Sequence, residues 1–304
     1  MVKYISIFVY FNKGNAMPQP YTYQCTAKGA WEIIFKNDNV TPACRLGALG
    51  AQPLRCYNLF HKSRTNALCG EADKIENQNS GDFLDALISE AQTEIERDYA
   101  LGFLAHYAAD GALRPYLAGV VQGDARRTRL EAALDTYFHA RETGVAYVPR
   151  ADAMPDMTPE MQTEICALLR RAAIVAYDDE LSLEQLCDAF YEYKALCGLS
   201  CSPNNKNAVK IFISDALFIK KNGYVKSRVT PSAPPKGGFA QNWQNPYTAA
   251  SFTDNGPDAL LRQAIRAATG YMHTARNYWC GRITLKNVRS VVGSNVYETG
   301  LPCE

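Results

Sequence analysis

An all-α fold is what this chain predicts, and three observations predict it. From Tyr99 to Tyr116, the residues Tyr99, Phe103, His106, Asp110 and Arg114 recur at spacings of three and four, along one stripe of a helix. Just upstream, Phe83, Leu84, Leu87, Ile88, Ala91 and Ile95 form a second apolar stripe. Helix-start signals also precede later stretches: Thr158, Pro159 and Glu160 open one, and Ser182 with Gln185 makes a capping box for the next.

Taken in order, Met1 to Pro20 reads as a leader, extended or disordered. Tyr21 to Lys36 is the first helix, Arg45 to Leu59 a Gly-rich loop, and the stretch from His61 to Asn79 a polar connector. Ser80 is the N-cap of a helix from Gly81 to about Arg97. The central helix follows and ends or kinks at Pro115, with a turn-rich joint over Gly119 to Asp124. Arg127 to Arg141 is the next helix, Asp152 to Pro159 a linker, and the two capped helices run to about Tyr177 and Cys197. Asn207 to Lys221 admits a helix or a strand. Val225 to Pro246 is a long loop broken by prolines, Pro257 to Tyr278 is a helix, and the tail after Gly281 is strand or helix. The division expected is a leader (1–20), a helical domain (21–280) and a tail (281–304).

Composition narrows the function classes. A chain of 304 residues can bury a substantial core. Lys+Arg 32 against Asp+Glu 31 leaves a net charge of +1, which argues against a nucleic-acid binder that works by counterion release. The early apolar run Ile5 to Phe11 falls far short of the roughly 20 residues of a membrane span. Its surroundings suit an upstream extension better than a signal peptide, with the rest of the protein starting near Met17. Ten scattered cysteines without a CxxC pair read as small buried thiols of a cytoplasmic protein. The four histidines come with no GxSxG motif, which leaves nucleophilic triad chemistry without support.

Chemistry concentrates on the central stripe. His106 and Asp110 sit one turn apart among Leu101, Leu104, Ala105, Ala108 and Ala109, so both are expected to be buried or to line a cleft. Such a pair is either a hydrogen bond within the core or two metal ligands on adjacent turns. Glu131 and Asp135 are likewise one turn apart on the following helix.

The succession "LGALGAQPLRCYNLF", "GEADKIENQNSGDFLDAL", "LGFLAHYAADGALRPY" and "RTRLEAALD" resembles the bacterial, intracellular type of zinc-dependent phospholipase C. "WQNPYTAASF", Trp243 to Phe252, is similar to a tryptophan-proline loop of such members. The resemblance spans roughly residues 21 to 275. It implies a single multi-helix domain of the phospholipase C and P1 nuclease type with long loops. It also implies phosphoric diester hydrolysis by a cluster of up to three zinc ions, which polarise the phosphodiester and activate a bridging water.

Carried over residue by residue, His106 and Asp110 keep the family's HxxxD pair, and Glu131 keeps the glutamate of its HxxxE pair. Glu76 stands for a further histidine, Gln52 for a metal-binding aspartate, and Tyr23 for an early histidine. Arg114 replaces the histidine before a proline, and Arg127 replaces the histidine of HxxxE. Arginine has no lone pair to give a metal. At most one zinc position survives, built from His106, Asp110, Glu76 and Gln52, and no metal at all is the other expectation.

Removing cations from between Asp110 and Glu131 would leave carboxylates facing each other. A salt-bridge cluster of Arg114 and Arg127 with Asp110 and Glu131 is therefore expected in place of zinc. The plain alternatives are a solvated loop carboxylate at Glu76 and exposed helix arginines at 114 and 127. Three functions follow: a degenerate, non-catalytic relative that binds a phospholipid head group or another phosphate-containing ligand; an active single-metal phosphodiesterase; or a protein-binding module with no ligand.

Overall fold

The computed structural model describes residues 20–201, 207–220, 223–248 and 253–303. The leader before Pro20 and the end of the Trp243–Phe252 stretch lie outside them. As the periodicity predicts, the described chain is mostly helical, with a single two-residue strand pair, β1 (Asn242–Trp243) and β2 (Thr253–Asp254).

The hub is α5, Glu94–Val120, whose side chains from Tyr99 to Leu117 are buried almost without a break. Around it pack α1 (Pro20–Phe35), α2 (Pro42–Gly47), α6 (Asp124–Thr143), α8 (Pro159–Tyr177) and α11 (Pro257–Trp279). Two glycines set how close α2 comes. A Cβ on Gly102 would stand 1.8 Å from the Cys44 carbonyl oxygen, and one on Gly47 1.9 Å from that of Tyr99. Only hydrogen fits at this crossing, so α2 lies backbone to backbone on α5. One contiguous set of buried apolar side chains then runs from Tyr21 to Tyr297.

Several boundaries differ from expectation for identifiable reasons. The helix expected over Gly81 to Arg97 stops at Glu90 as α4 (Ser80–Glu90), because Thr93 and Glu96 form a capping box that starts α5. Ser80 is not the cap: Asn79 holds that position, and the Ser80 hydroxyl donates to the Asn295 carbonyl at 2.7 Å. Pro115 neither ends nor breaks α5, which continues to Val120. The Gly111 carbonyl, which loses its N–H partner to this proline, is packed instead by Gly300, where a Cβ would approach to 2.8 Å.

The polar connector contains α3, Cys69–Asn77. Its buried stripe is Ala72, Ile75 and Glu76, and a glutamate on the inner face disguised the helical pattern. The Gly-rich loop is partly ordered too, by the end of α2 and a 3₁₀ turn at Pro53–Cys56.

The two capped helices appear as α8 and α9 (Leu183–Ser200), with Thr158 and Ser182 hydroxyls accepting from Met161 and Gln185 N–H. Between α6 and α8 lies the short α7, Arg150–Ala153, which takes the first two residues of the expected Asp152–Pro159 linker, and the rest of that linker is irregular up to α8. The helix-or-strand segment resolves into α10, Ala208–Ile213, followed by a π turn at Ser214–Phe218. The tail carries α12, Leu285–Val292, and then an irregular run that packs back onto α4 and α5. Among the described residues no helix is long and apolar enough to cross a membrane. All ten cysteines are free, and Cys44, Cys56, Cys166 and Cys197 are buried.

Candidate functional site

Positions 106, 110 and 114 stack on successive turns of α5, and stretches from elsewhere in the chain close around them. The imidazole comes first. Its Nδ1 lies 3.0 Å from the Ala48 carbonyl, which only accepts, so this nitrogen carries a proton. Gly50, at φ +59°, holds the loop so close that a Cβ there would lie 2.2 Å from the ring's Cδ2. Fixed in this way, Nε2 faces Asp110 Oδ2 at 3.2 Å. Such a contact attracts only when the ring carries a second proton or a cation stands nearby.

Asp110 is engaged from three sides. The Tyr23 hydroxyl of α1 donates to its Oδ1, and Arg114 Nη2 lies 2.8 Å from its Oδ2. Burial, and then the Asp110 charge, push the Tyr23 hydroxyl well above its ordinary pKa, so it stays a donor. The other arm of Arg114, Nη1, donates to Glu76 Oε2 at 2.8 Å. Arg55, from the 3₁₀ turn, adds Nη2 at 3.0 Å to the same oxygen and reaches Asp73 with Nη1 at 2.6 Å. Burial opposes ionisation of Glu76, but the Arg114 and Arg55 guanidiniums outweigh it and hold the carboxyl down at about 2. None of Glu76, His106, Asp110 and Arg114 is more than 7% exposed.

A second guanidinium pair lies alongside. Arg127 donates through Nη1 and Nη2 to the two oxygens of Glu298, each at 2.7 Å, and the Tyr247 hydroxyl donates to Glu298 Oε1 at 2.6 Å. Glu131, one turn along α6 from Arg127, is only 3.8 Å from Nε, and neither of its oxygens has a hydrogen-bond partner. Burial raises its pKa against the opposing pull of Arg127, Arg228 and Arg114. One more turn on, Asp135 accepts from Tyr21 N at 2.9 Å, Thr22 N at 2.7 Å and the Thr22 hydroxyl, anchoring the first turn of α1. Burial prevails over these three bonds and moves its carboxyl up to about 7.

The expected cluster therefore exists with different partners. Arg114 pairs with Asp110 as expected and also with Glu76, which is buried rather than solvated. Arg127 is drawn to Glu298 instead of Glu131, because the carboxylate across the chain lets two N–H groups align at once. Gln52 is buried, but its side-chain oxygen accepts from Tyr193 at 3.2 Å and its amide nitrogen has no partner. Arg55, Tyr247, Tyr297 and Glu298 were not anticipated from the sequence. Tyr297 is fully buried with its ring 6.1 Å from that of His106, and its N–H donates to the Glu76 carbonyl at 2.9 Å.

Glu76, His106 and Asp110 each offer a ligand atom within 4.8 Å of the others, so this buried group could hold a metal ion. Glu76 Oε1, His106 Nε2 and Asp110 Oδ2 also lack hydrogen-bond partners, as donors to an ion would. Arg114 nonetheless touches both carboxylates, and an ion bound there would have to displace it. Among the described residues this is the one such group, and Arg114 and Arg127 beside it can offer a metal no lone pair. Comparison of the chain with protein-family models, curated proteins and solved structures returns no match.

Proposed function

We propose that this chain is a phospholipase C-like helical protein that has given up metal-dependent phosphodiester hydrolysis, with Arg114 standing where its relatives would hold an ion. The observation that carries the reading is the bridge from Arg114 to Glu76 and Asp110, 2.8 Å on each side. A guanidinium there neutralises the two carboxylates as a divalent cation would, but it brings no Lewis acidity and no bound water of lowered pKa. Burial supports the same conclusion. A phosphodiester cannot reach side chains that are at most 7% exposed while Tyr297 lies over His106. The protein then acts by binding, and phosphate-containing ligands are the class to which its remaining cations are suited.

A single-ion hydrolase is the second reading. The close grouping of Glu76, His106 and Asp110, each with an atom that makes no hydrogen bond, favours it. Elemental analysis of protein purified without chelators, together with phosphodiesterase assays in zinc and in manganese, separates the two. The proposal expects substoichiometric metal and no turnover. Near-stoichiometric metal with hydrolysis abolished by His106→Ala would overturn it in favour of the single-ion enzyme.

A further inference from the structure

Remote from the buried cluster, the segment from Ala208 to Lys220 turns much of its apolar surface to water. Val209, Phe212, Ile213 and Leu217 follow one another along a single side of α10 and the π turn, and Phe218 adjoins them. Their exposures are 68%, 72%, 40%, 63% and 46%. A water-facing helix ordinarily turns that stripe to the core. The opposite face is the buried one and carries Ile211 and Ile219. Ser214 and Asp215 point inward with them, and the Asp215 carboxylate accepts from Val225 N at 2.8 Å and Lys226 N at 3.0 Å. These bonds fix the orientation, since rolling the segment to bury its phenyl rings would strip two backbone N–H groups of their acceptor.

The exposed charges on this segment, among the described residues, are lysines. Lys210 and Lys220 are exposed on the segment itself, and its one carboxylate, Asp215, is turned away. Lys62 rests its ammonium on the Ala216 carbonyl at 3.2 Å, and Arg64 is exposed on the same loop. A cleft of about 180 Å³ runs from the patch beneath Lys220 and Ile219, and His61, Arg64 and Tyr57 also line it. Glu192, 3.9 Å from His61, is set back with its side chain 13% exposed.

We propose that this face docks on an anionic phospholipid surface. Phe212, Leu217 and Phe218 enter the boundary between headgroups and acyl chains, and Lys62, Arg64, Lys210 and Lys220 meet the phosphates, with the cleft admitting a headgroup. An apolar centre flanked by exposed cations is the pattern such a surface recognises, and it accounts for the exposed phenyl rings.

The test is flotation of the full chain with vesicles of phosphatidylcholine, with and without phosphatidylglycerol. Binding is expected only on the anionic vesicles and weakens as salt rises. The double variants Phe212→Ser/Leu217→Ser and Lys210→Glu/Lys220→Glu should each lower partitioning about tenfold or more without moving the melting temperature, since all four side chains are exposed. The proposal is overturned if the parent fails to float with anionic vesicles, or binds neutral ones equally well. A concentration-dependent dimer of the parent that Phe212→Ser/Leu217→Ser dissolves would also overturn it, because the patch would then be an interface between two copies.

Discussion

Truncating Arg114 is the sharpest way to probe the buried cluster. Arg114→Ala leaves Asp110 without its guanidinium and Glu76 with only Arg55, in a region where Glu76, Asp110 and Arg114 are each at most 7% exposed. Removing one partner of a buried ion pair costs about 3–5 kcal/mol, because the other charge stays desolvated. For a chain of this size that is a fall of roughly 5–15 °C in melting temperature. The same truncation frees Glu76, His106 and Asp110 as a ligand set. Zinc at about a hundred times its dissociation constant should therefore return about 2.7 kcal/mol to the variant and little to the parent.

Acid titration adds an independent signature. Glu76 is held at about 2 in the folded protein, below the roughly 4.3 of a free glutamate, so its contribution is complete above the free value. It is lost as pH falls toward 2. In Arg114→Ala most of that acid-side slope should disappear. Arg114→Lys, which keeps the charge but cannot span two carboxylates, should fall between variant and parent. Thermal unfolding followed by circular dichroism, with zinc or chelator, reads all of these effects. A variant as stable as the parent, or a parent that gains as much from zinc as the variant does, refutes the idea that the guanidinium occupies the ion's place.

Other residues carry separable predictions. Asp135→Ala strips three donors at the start of α1, two of them backbone N–H groups, and should cost about 2–4 kcal/mol in urea unfolding. Gly102→Ala places a methyl group 1.8 Å from the Cys44 carbonyl, so α2 must lift off α5, and a loss of about 2 kcal/mol or more is expected in the same assay. Glu131 has a raised folded pKa, so its contribution is present below the free value and is lost as pH rises through the folded one. Glu131→Gln should accordingly overtake the parent in stability by pH 8 and lose that lead at pH 4; a variant less stable than the parent at pH 8 would contradict the unpartnered state of this carboxylate.

What the sequence made legible was local. The stripe through Tyr99, Phe103, His106, Asp110 and Arg114 could be read because helical spacing alone puts these residues on one face, and all five are buried. Arg114 meeting Asp110 is an i, i+4 contact and needs no knowledge of the rest of the chain. The caps at Thr158 and Ser182 were equally local. Glu298, Tyr247 and Arg55 were hidden for the opposite reason. Each reaches the site from a stretch with weak periodicity, and nothing in the order of residues says that a tail after Gly281 will lay a carboxylate on α6. Glu76 illustrates a third difficulty: the charge that gives the site its interest is also what made α3 look like a solvated loop.

The bond between Arg127 and Glu298 joins positions 171 residues apart. On the ribosome the first of these emerges before the second, so a nascent chain already able to form α5 and α6 carries Arg127 hydrated and without its mate until Glu298 has been made. Closure of the interior around His106 by Tyr297 likewise waits on residues far along the chain, so this region depends on contacts of high sequence separation.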